Sequence, residues 1–128
     1  MTKSEDAARG RRAEDIAADR LTQSGLRLVT RNYRCRWGEI DLIMREREIV
    51  VFVEVRFRSR SGLTTGAESV DARKQRKLIS TAEHYLQKNP SLARQACRFD
   101  VVSVSNSLAS EDSTGETDIN WIRNAFDA

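Results

Sequence analysis

The stretch from Gly38 to Arg56, GEIDLIMREREIVVFVEVR, constrains this chain more than any other. Two apolar runs flank a polar segment, so it reads as a hairpin, Gly38 to Arg45 and Ile49 to Phe57. Side chains alternate faces along a strand. Ile40, Leu42 and Met44 form one set; Glu39, Asp41 and Ile43 form the other. On the return strand Val51, Val53 and Val55 are one set, and Phe52, Glu54 and Arg56 the other. A slip of one residue would send an apolar set onto the polar face, so Asp41 and Glu54 fall on the same face. The turn REREI has no Gly or Asn, which disfavours a two-residue type I′ connection. A four-residue loop, Glu46 to Ile49, sets Asp41 directly opposite Glu54. The alternative register leaves them diagonal, roughly 7–8 Å apart.

Like charges opposed across a strand pair are destabilising. Arg56, two residues along on the same face, can offset them. A bound divalent metal can do the same, since hard oxygen ligands suit Mg²⁺ or Mn²⁺. Exposure to water is the third possibility. Against exposure, IVVFVEV reads as a central strand covered on both faces. A carboxylate there is costly without a partner.

The remaining chain reads as one α/β unit. Residues Glu5 to Ser24 form a helix whose apolar face is Ala13, Ile16, Ala17 and Leu21, with Gly25 as its stop. Glu14 lies about 20° from Leu21 around that helix, at the edge of the stripe, while Asp15 and Asp19 point to water. LRLVTRNYR is a strand and CRWG a connector. SRSGLTTGAES is a glycine-containing loop. Asp71 caps a second helix, Ala72 to Lys88, which buries Leu78, Ala82, Tyr85 and Leu86 and ends at Asn89-Pro90. LARQAC is a helical turn, RFDVVSV a strand, INWI a short last strand and RNAFDA a tail. The expected fold is a single domain over residues 1–128, with a four- to five-stranded mixed sheet flanked by helices. Residues 1–9 and 105–117 are expected to be poorly ordered.

Charge is unevenly spread. From Arg31 to Lys77 there are 12 basic and 7 acidic residues; from Ser105 to Ala128 there is 1 basic residue against 5 acidic. A basic middle favours polyanionic partners. The longest apolar run, Ile49 to Val53, is too short to span a bilayer, and the N-terminal residues contain no apolar signal core. Cys35 and Cys97 lack metal-ligand spacing and are expected to be reduced fillers in a cytoplasmic protein.

The segments RRAEDIAADRLTQSGLRLVTRNYRCRWGEIDLI, VFVEVRFRS, VDARKQRKLISTAEHYL, RFDVV and WIRNAF resemble the YraN family of small bacterial proteins, from about Gly10 to Phe126. That resemblance implies a restriction-endonuclease-like fold, similar to archaeal Holliday-junction resolvases. It also implies a divalent-metal-dependent nuclease, or a module that keeps the fold and binds nucleic acid without cleaving it. In that superfamily an aspartate and a (D/E)xK motif share a hairpin, often joined by a glutamate of the first helix. Asp41 matches the aspartate, Glu54 the second acid and Glu14 the helical acid; Arg56 stands where lysine is usual. The implied ligands of Mg²⁺ or Mn²⁺ are Asp41, Glu54, the carbonyl of Val55, and Glu14 directly or through water. Arg56 stays protonated, so it can stabilise charge but not accept a proton.

Arg73, Lys74, Arg76 and Lys77 open the second helix, where cations oppose the helix dipole and a phosphate would relieve the mismatch. Arg58 and Arg60, with Gly62 and Gly66, form a candidate phosphate-contacting loop. The expected partner is nucleic acid, DNA more than RNA; no membrane is involved, and the resemblance to junction-cutting enzymes implies a homodimer. Trp37 is expected to pack on a neighbour, with base stacking the alternative. Trp121 and Phe126 are expected in the core or an oligomer contact, His84 exposed, and Asp100 in a structural hydrogen bond.

Overall fold

The computed structural model describes residues 3–58, 70–106 and 117–127. In chain order the elements are α1 (Lys3–Gln23), β1 (Arg27–Cys35), β2 (Gly38–Glu46), β3 (Ile49–Arg58), α2 (Ala72–Lys88), α3 (Pro90–Ala93), β4 (Cys97–Asn106) and β5 (Thr117–Phe126). The five strands form one sheet in the order β1-β2-β3-β4-β5. Only β3 and β4 run parallel; the other neighbours are antiparallel. This is the mixed α/β sheet expected, with five strands. Among the described residues no helix is long and apolar enough to cross a membrane.

The helices cover opposite faces. Ala13, Ala17 and Leu21 of α1 pack on Leu42, Met44, Val51, Val53, Val102 and Val104. Leu78, Ala82 and Tyr85 of α2 pack on Ile43, Val50, Phe52, Phe99 and Val101. Strand β3 is therefore apolar on both sides because both sides are buried. Helix α1 ends in a Schellman motif: Leu26 N–H donates to the Leu21 carbonyl, Gly25 N–H donates to that of Thr22, and Gly25 has φ +104°. The Asp71 carboxylate accepts from Lys74 N–H at 2.8 Å, capping α2 as expected.

Three local expectations are corrected. The β2–β3 connection is a two-residue turn, because Glu46 pairs with Ile49. Arg47 adopts φ +56°, held there by the ladder on both sides. Ile40 does not share a face with Leu42 and Met44: it packs on the α2 side and they pack on the α1 side. Strand β2 turns over between them, opposite Asn32, whose φ of +53° breaks the alternation of β1 as well. Finally, the last strand is ten residues rather than four and absorbs most of the supposed tail. A register shift between Phe99 and Val101 and a left-handed Asn124 let it continue.

Gly38 sits at the entry to β2 with φ +150°; a Cβ there would lie 3.2 Å from Thr81 Oγ1 and 3.8 Å from Lys77 Cβ. Gly38→Ala is expected to cost about 1–3 kcal/mol through backbone strain and this tight approach to α2. Urea denaturation of the purified variant measures it. A midpoint equal to that of the parent would mean the strand entry relaxes freely.

Candidate metal centre

Strand pairing creates a fork. The β2–β3 ladder ends at Leu42–Val53, but β2 continues along β1 to Gly38 and β3 continues along β4 to Arg58. Asp41 and Glu54 are the next residues on the two diverging strands, in the register that sets them opposite each other. Where the ladder stops, Val55 N–H donates to Asp41 Oδ2 at 2.8 Å, so a side chain replaces the missing main-chain acceptor. Asp41 is the residue at which β2 turns over, so its carboxyl is aimed sideways at β3. Glu54 lies between Val53 and Val55, which both pack toward α1, and so it faces α2.

The two carboxyls lie close enough to act on each other's protonation. The Glu54 side chain is only 11% exposed, with Lys74 Nζ at 3.7 Å and Arg56 Nε at 3.9 Å from its Oε2. Burial is the main force acting on both acids. It pushes Asp41 up to about 8, with the Glu54 charge adding to it and the Val55 N–H opposing. Burial likewise raises Glu54, against the opposing pull of Lys74 and Arg56. At neutral pH the bare pair therefore holds a proton, because two adjacent buried carboxylates are not both ionised without more positive charge nearby.

Glu14 stands close enough for its charge to act on Asp41. Its carboxylate is engaged elsewhere, accepting from Arg31 at 3.4 Å and from Asn32 Nδ2 at 3.1 and 3.2 Å. The same Asn32 amide reaches Glu39 at 3.3 Å, and Arg34 Nε donates to Glu39 at 3.0 Å. Among the described residues, no group of three Asp, Glu, His or Cys side chains stands in metal-holding geometry. The structure thus brings Asp41 and Glu54 together and leaves Glu14 beside them on the α1 side. It lines a cleft of about 320 Å³ there with Gly10, Arg11, Asn32, Arg34 and Glu39. Val55 donates its N–H toward β2, and its carbonyl leaves the strand on the same side.

Of the basic candidates, Lys74 belongs to the acid pair itself, and Lys77 is exposed beside Gly38. Arg73 and Arg76 are exposed. Arg58 ends β3, with its side chain outside the described residues, as is the whole of Arg60. The sequence assigns no site role to Asn32 or Glu39. Their signals were the tolerance of Asn for left-handed backbone and the two-residue spacing of Glu39 from Asp41.

Three side chains differ from expectation. Trp37 is 47% exposed at the β1–β2 turn rather than packed. His84 is half-buried, with Nδ1 2.6 Å from Tyr33 Oη, rather than exposed. Cys97 is exposed at the start of β4 and fills no core space, whereas Cys35 is half-buried. Trp121 packs against the α1-side core, and Phe126 stacks on Phe99 at 4.8 Å between ring centroids.

Similarity to known proteins follows this framework. Residues 13–104 match the family described as Uncharacterised protein family UPF0102. A UPF0102 protein of Stutzerimonas stutzeri (strain A1501) is 47% identical over 125 residues, covering 98% of this chain and 99% of its own. One from Ectopseudomonas mendocina (strain ymp) is 49% identical, covering 93% and 94%. One from Nitrosococcus oceani is 43% identical, covering 92% and 90%. With its matched span running from the middle of α1 into β4, the chain belongs to the UPF0102 family.

Proposed function

We propose that this protein is a divalent-metal-dependent nuclease that hydrolyses phosphodiester bonds in structured or single-stranded nucleic acid, DNA in preference to RNA. The observation that carries the reading is the Asp41–Glu54 pair: two buried carboxyls, brought together at a strand fork. The donor set suits Mg²⁺ or Mn²⁺, since carboxylate and carbonyl oxygens are hard ligands. Asp41, Glu54 and the Val55 carbonyl would hold the ion, with Glu14 reaching it through water. Such an ion lowers the pKa of coordinated water and offsets charge on the attacked phosphate.

The chain's own residues have separate tasks. The Val55 N–H fixes the rotation of Asp41. Lys74 and Arg56 pull Glu54 toward its ionised form, against the burial that raises its pKa, and stand where the charge of a bound phosphate would accumulate. Arg56 keeps its proton, so it stabilises charge and leaves proton acceptance to another group. Lys77, one turn after Lys74 on α2, and Arg73, the residue before Lys74, contact the nucleic-acid backbone. A second reading, a nucleic-acid-binding module without cleavage, is favoured by Arg56 in the usual lysine position and by the engagement of Glu14 with Arg31 and Asn32. Two copies would present two such clefts, which sedimentation equilibrium detects.

Calorimetric titration with Mn²⁺ is the direct test. Saturable binding is expected in the parent chain and is lost in Asp41→Asn and Glu54→Gln. Branched, nicked, flapped and single-stranded DNA and RNA, each with Mn²⁺ present, then decide between the readings. Cleavage abolished by either substitution supports the nuclease. Binding without cleavage of any substrate supports the module.

A further inference from the structure

At the tip of the β1–β2 hairpin the indole of Trp37 stands over a cleft of about 250 Å³. The opposite wall is Ser80, Glu83, His84 and Gln87 of α2. These occupy helical positions i, i+3, i+4 and i+7, so they form one polar stripe. The wall is partly fixed: Tyr33 Oη holds His84 Nδ1 at 2.6 Å, which leaves Nε2 as the free edge of the imidazole. An exposed aromatic ring facing a row of hydrogen-bonding groups matches the two kinds of contact a nucleobase makes, through its π-face and its edge.

The surroundings suit a polyanion. The Arg36 guanidinium lies over one face of the Trp37 ring, 4.5 Å from its centre, so a base stacks on the other face. Lys77 stands beside Gly38, next along the chain from Trp37, and Lys74 lies one helical turn before Lys77, against Glu54. The cations thus run from the cleft to the acid pair. Trp37, just before β2, is four residues from Asp41, about 13 Å at strand rise. A few nucleotides span that distance at roughly 3.4 Å each.

We infer that the cleft between Trp37 and the polar stripe of α2 takes one unpaired nucleobase, by stacking on the indole, from a strand whose phosphates run along Lys77 and Lys74 to the Asp41–Glu54 pair. The inference rests on the nuclease or nucleic-acid-binding reading above and narrows it to substrates with a single-stranded segment. A paired base stays within its stack and does not enter.

The test omits metal, so its outcome is independent of whether Asp41 and Glu54 hold an ion. Tryptophan emission of the full chain is followed during titration with a single-stranded oligodeoxynucleotide and with a blunt duplex. The affinities of the parent, Trp37→Ala and Trp37→Phe for that strand, for an abasic chain of equal length and for the duplex are read from the anisotropy of a dye attached to the nucleic acid. The chain has two tryptophans, and the indole N–H of Trp121 is turned inward to Asp100, so quenching reports Trp37. Expected are quenching by the base-bearing strand, about tenfold or weaker binding of the abasic chain, and a similar loss for Trp37→Ala with the base-bearing strand. Trp37→Phe restores most of the affinity, and the blunt duplex does not quench the emission. Equal affinity of Trp37→Ala and the parent chain for the single strand, equal affinity for the abasic chain, or no binding of the single strand would overturn the inference. Loss of Mn²⁺ binding in separate titrations bears only on the metal site.

Discussion

Asp41→Asn is expected to stabilise the metal-free protein at pH 8 while removing the Mn²⁺ binding proposed for the acid pair. Folding raises the Asp41 pKa from 3.8 to about 8, chiefly by burial and then by the Glu54 charge. The folded state therefore keeps a proton that the unfolded chain releases above about pH 4. Stability falls as pH rises from about 4 to 8 and levels off above, where both states have lost it. A tenfold difference in proton affinity between the two states corresponds to roughly 1.4 kcal/mol, so the penalty reaches a few kcal/mol at pH 8. Asparagine has the shape of aspartate, accepts from Val55 N–H with its oxygen and donates to Glu54 with its amide, and it never ionises. Thermal melts in EDTA at pH 5 and pH 8 give the comparison. The parent should lose stability relative to Asp41→Asn across that interval, at about 3–5 °C per kcal/mol for a domain of this size. The difference between parent and variant reports Asp41 together with its effect on Glu54, whose own raised pKa acts in the same direction. Saturating Mn²⁺ at pH 8 should then raise the melting temperature of the parent alone. A constant difference between the two proteins from pH 5 to pH 8 would show that Asp41 is ionised throughout, and would remove the electrostatic reason for a cation.

The pairing of Asp41 with Glu54 was legible in the sequence because it follows from parity alone. Apolar sets two residues apart admit one register class, and the observed ladder, extended by one step, belongs to it. Helix α2 was equally legible, since Asp71 and Asn89-Pro90 mark its ends with local chemistry. The orientation of Asp41 was not legible. It depends on β2 turning over opposite Asn32, and an Asn in a strand-like run signals only that left-handed backbone is tolerated, not that it occurs. Glu14 was brought near the site by resemblance to a known family. Its helical position gave it an inward edge, but its partners Arg31 and Asn32 lie 17 and 18 residues away in sequence, and nothing local announces them. Trp37 and His84 show the same limit from the other side. Each is a single residue whose exposure is set by where the β1–β2 turn meets α2, a tertiary fact.

Asp100→Ala should be the most damaging single substitution for stability, and it acts from the strand beside the acid pair, where Asp100 pairs with Val53, the residue before Glu54. Asp100 is 1% exposed in the middle of β4. Its Oδ1 accepts from Arg98 Nε at 3.0 Å and from the backbone N–H of Asn124 at 2.9 Å; its Oδ2 accepts from Trp121 Nε1 at 2.9 Å. Arg98 also donates to Glu46 at 2.7 Å, and Glu46 is held by Arg123 at 3.3 Å. The carboxylate thus explains how β5 passes its bulge: at Asn124, with φ +50°, the backbone N–H is satisfied by a side chain of β4. Alanine leaves an indole N–H, a backbone N–H and part of a buried guanidinium without their acceptor. Removing one partner of a buried ion pair costs about 3–5 kcal/mol, a large share of the roughly 5–15 kcal/mol that holds a domain together. Asp100→Asn keeps an acceptor oxygen and should lose less. Trp121→Phe alone should cost about 1 kcal/mol through its hydrogen bond, and markedly less once Asp100 is already alanine, because the acceptor is gone. Urea denaturation of the four proteins completes this cycle. If the effects of Asp100→Ala and Trp121→Phe simply add, Asp100 is not what ties β5 to β4 at the bulge, and the length of the last strand needs another cause.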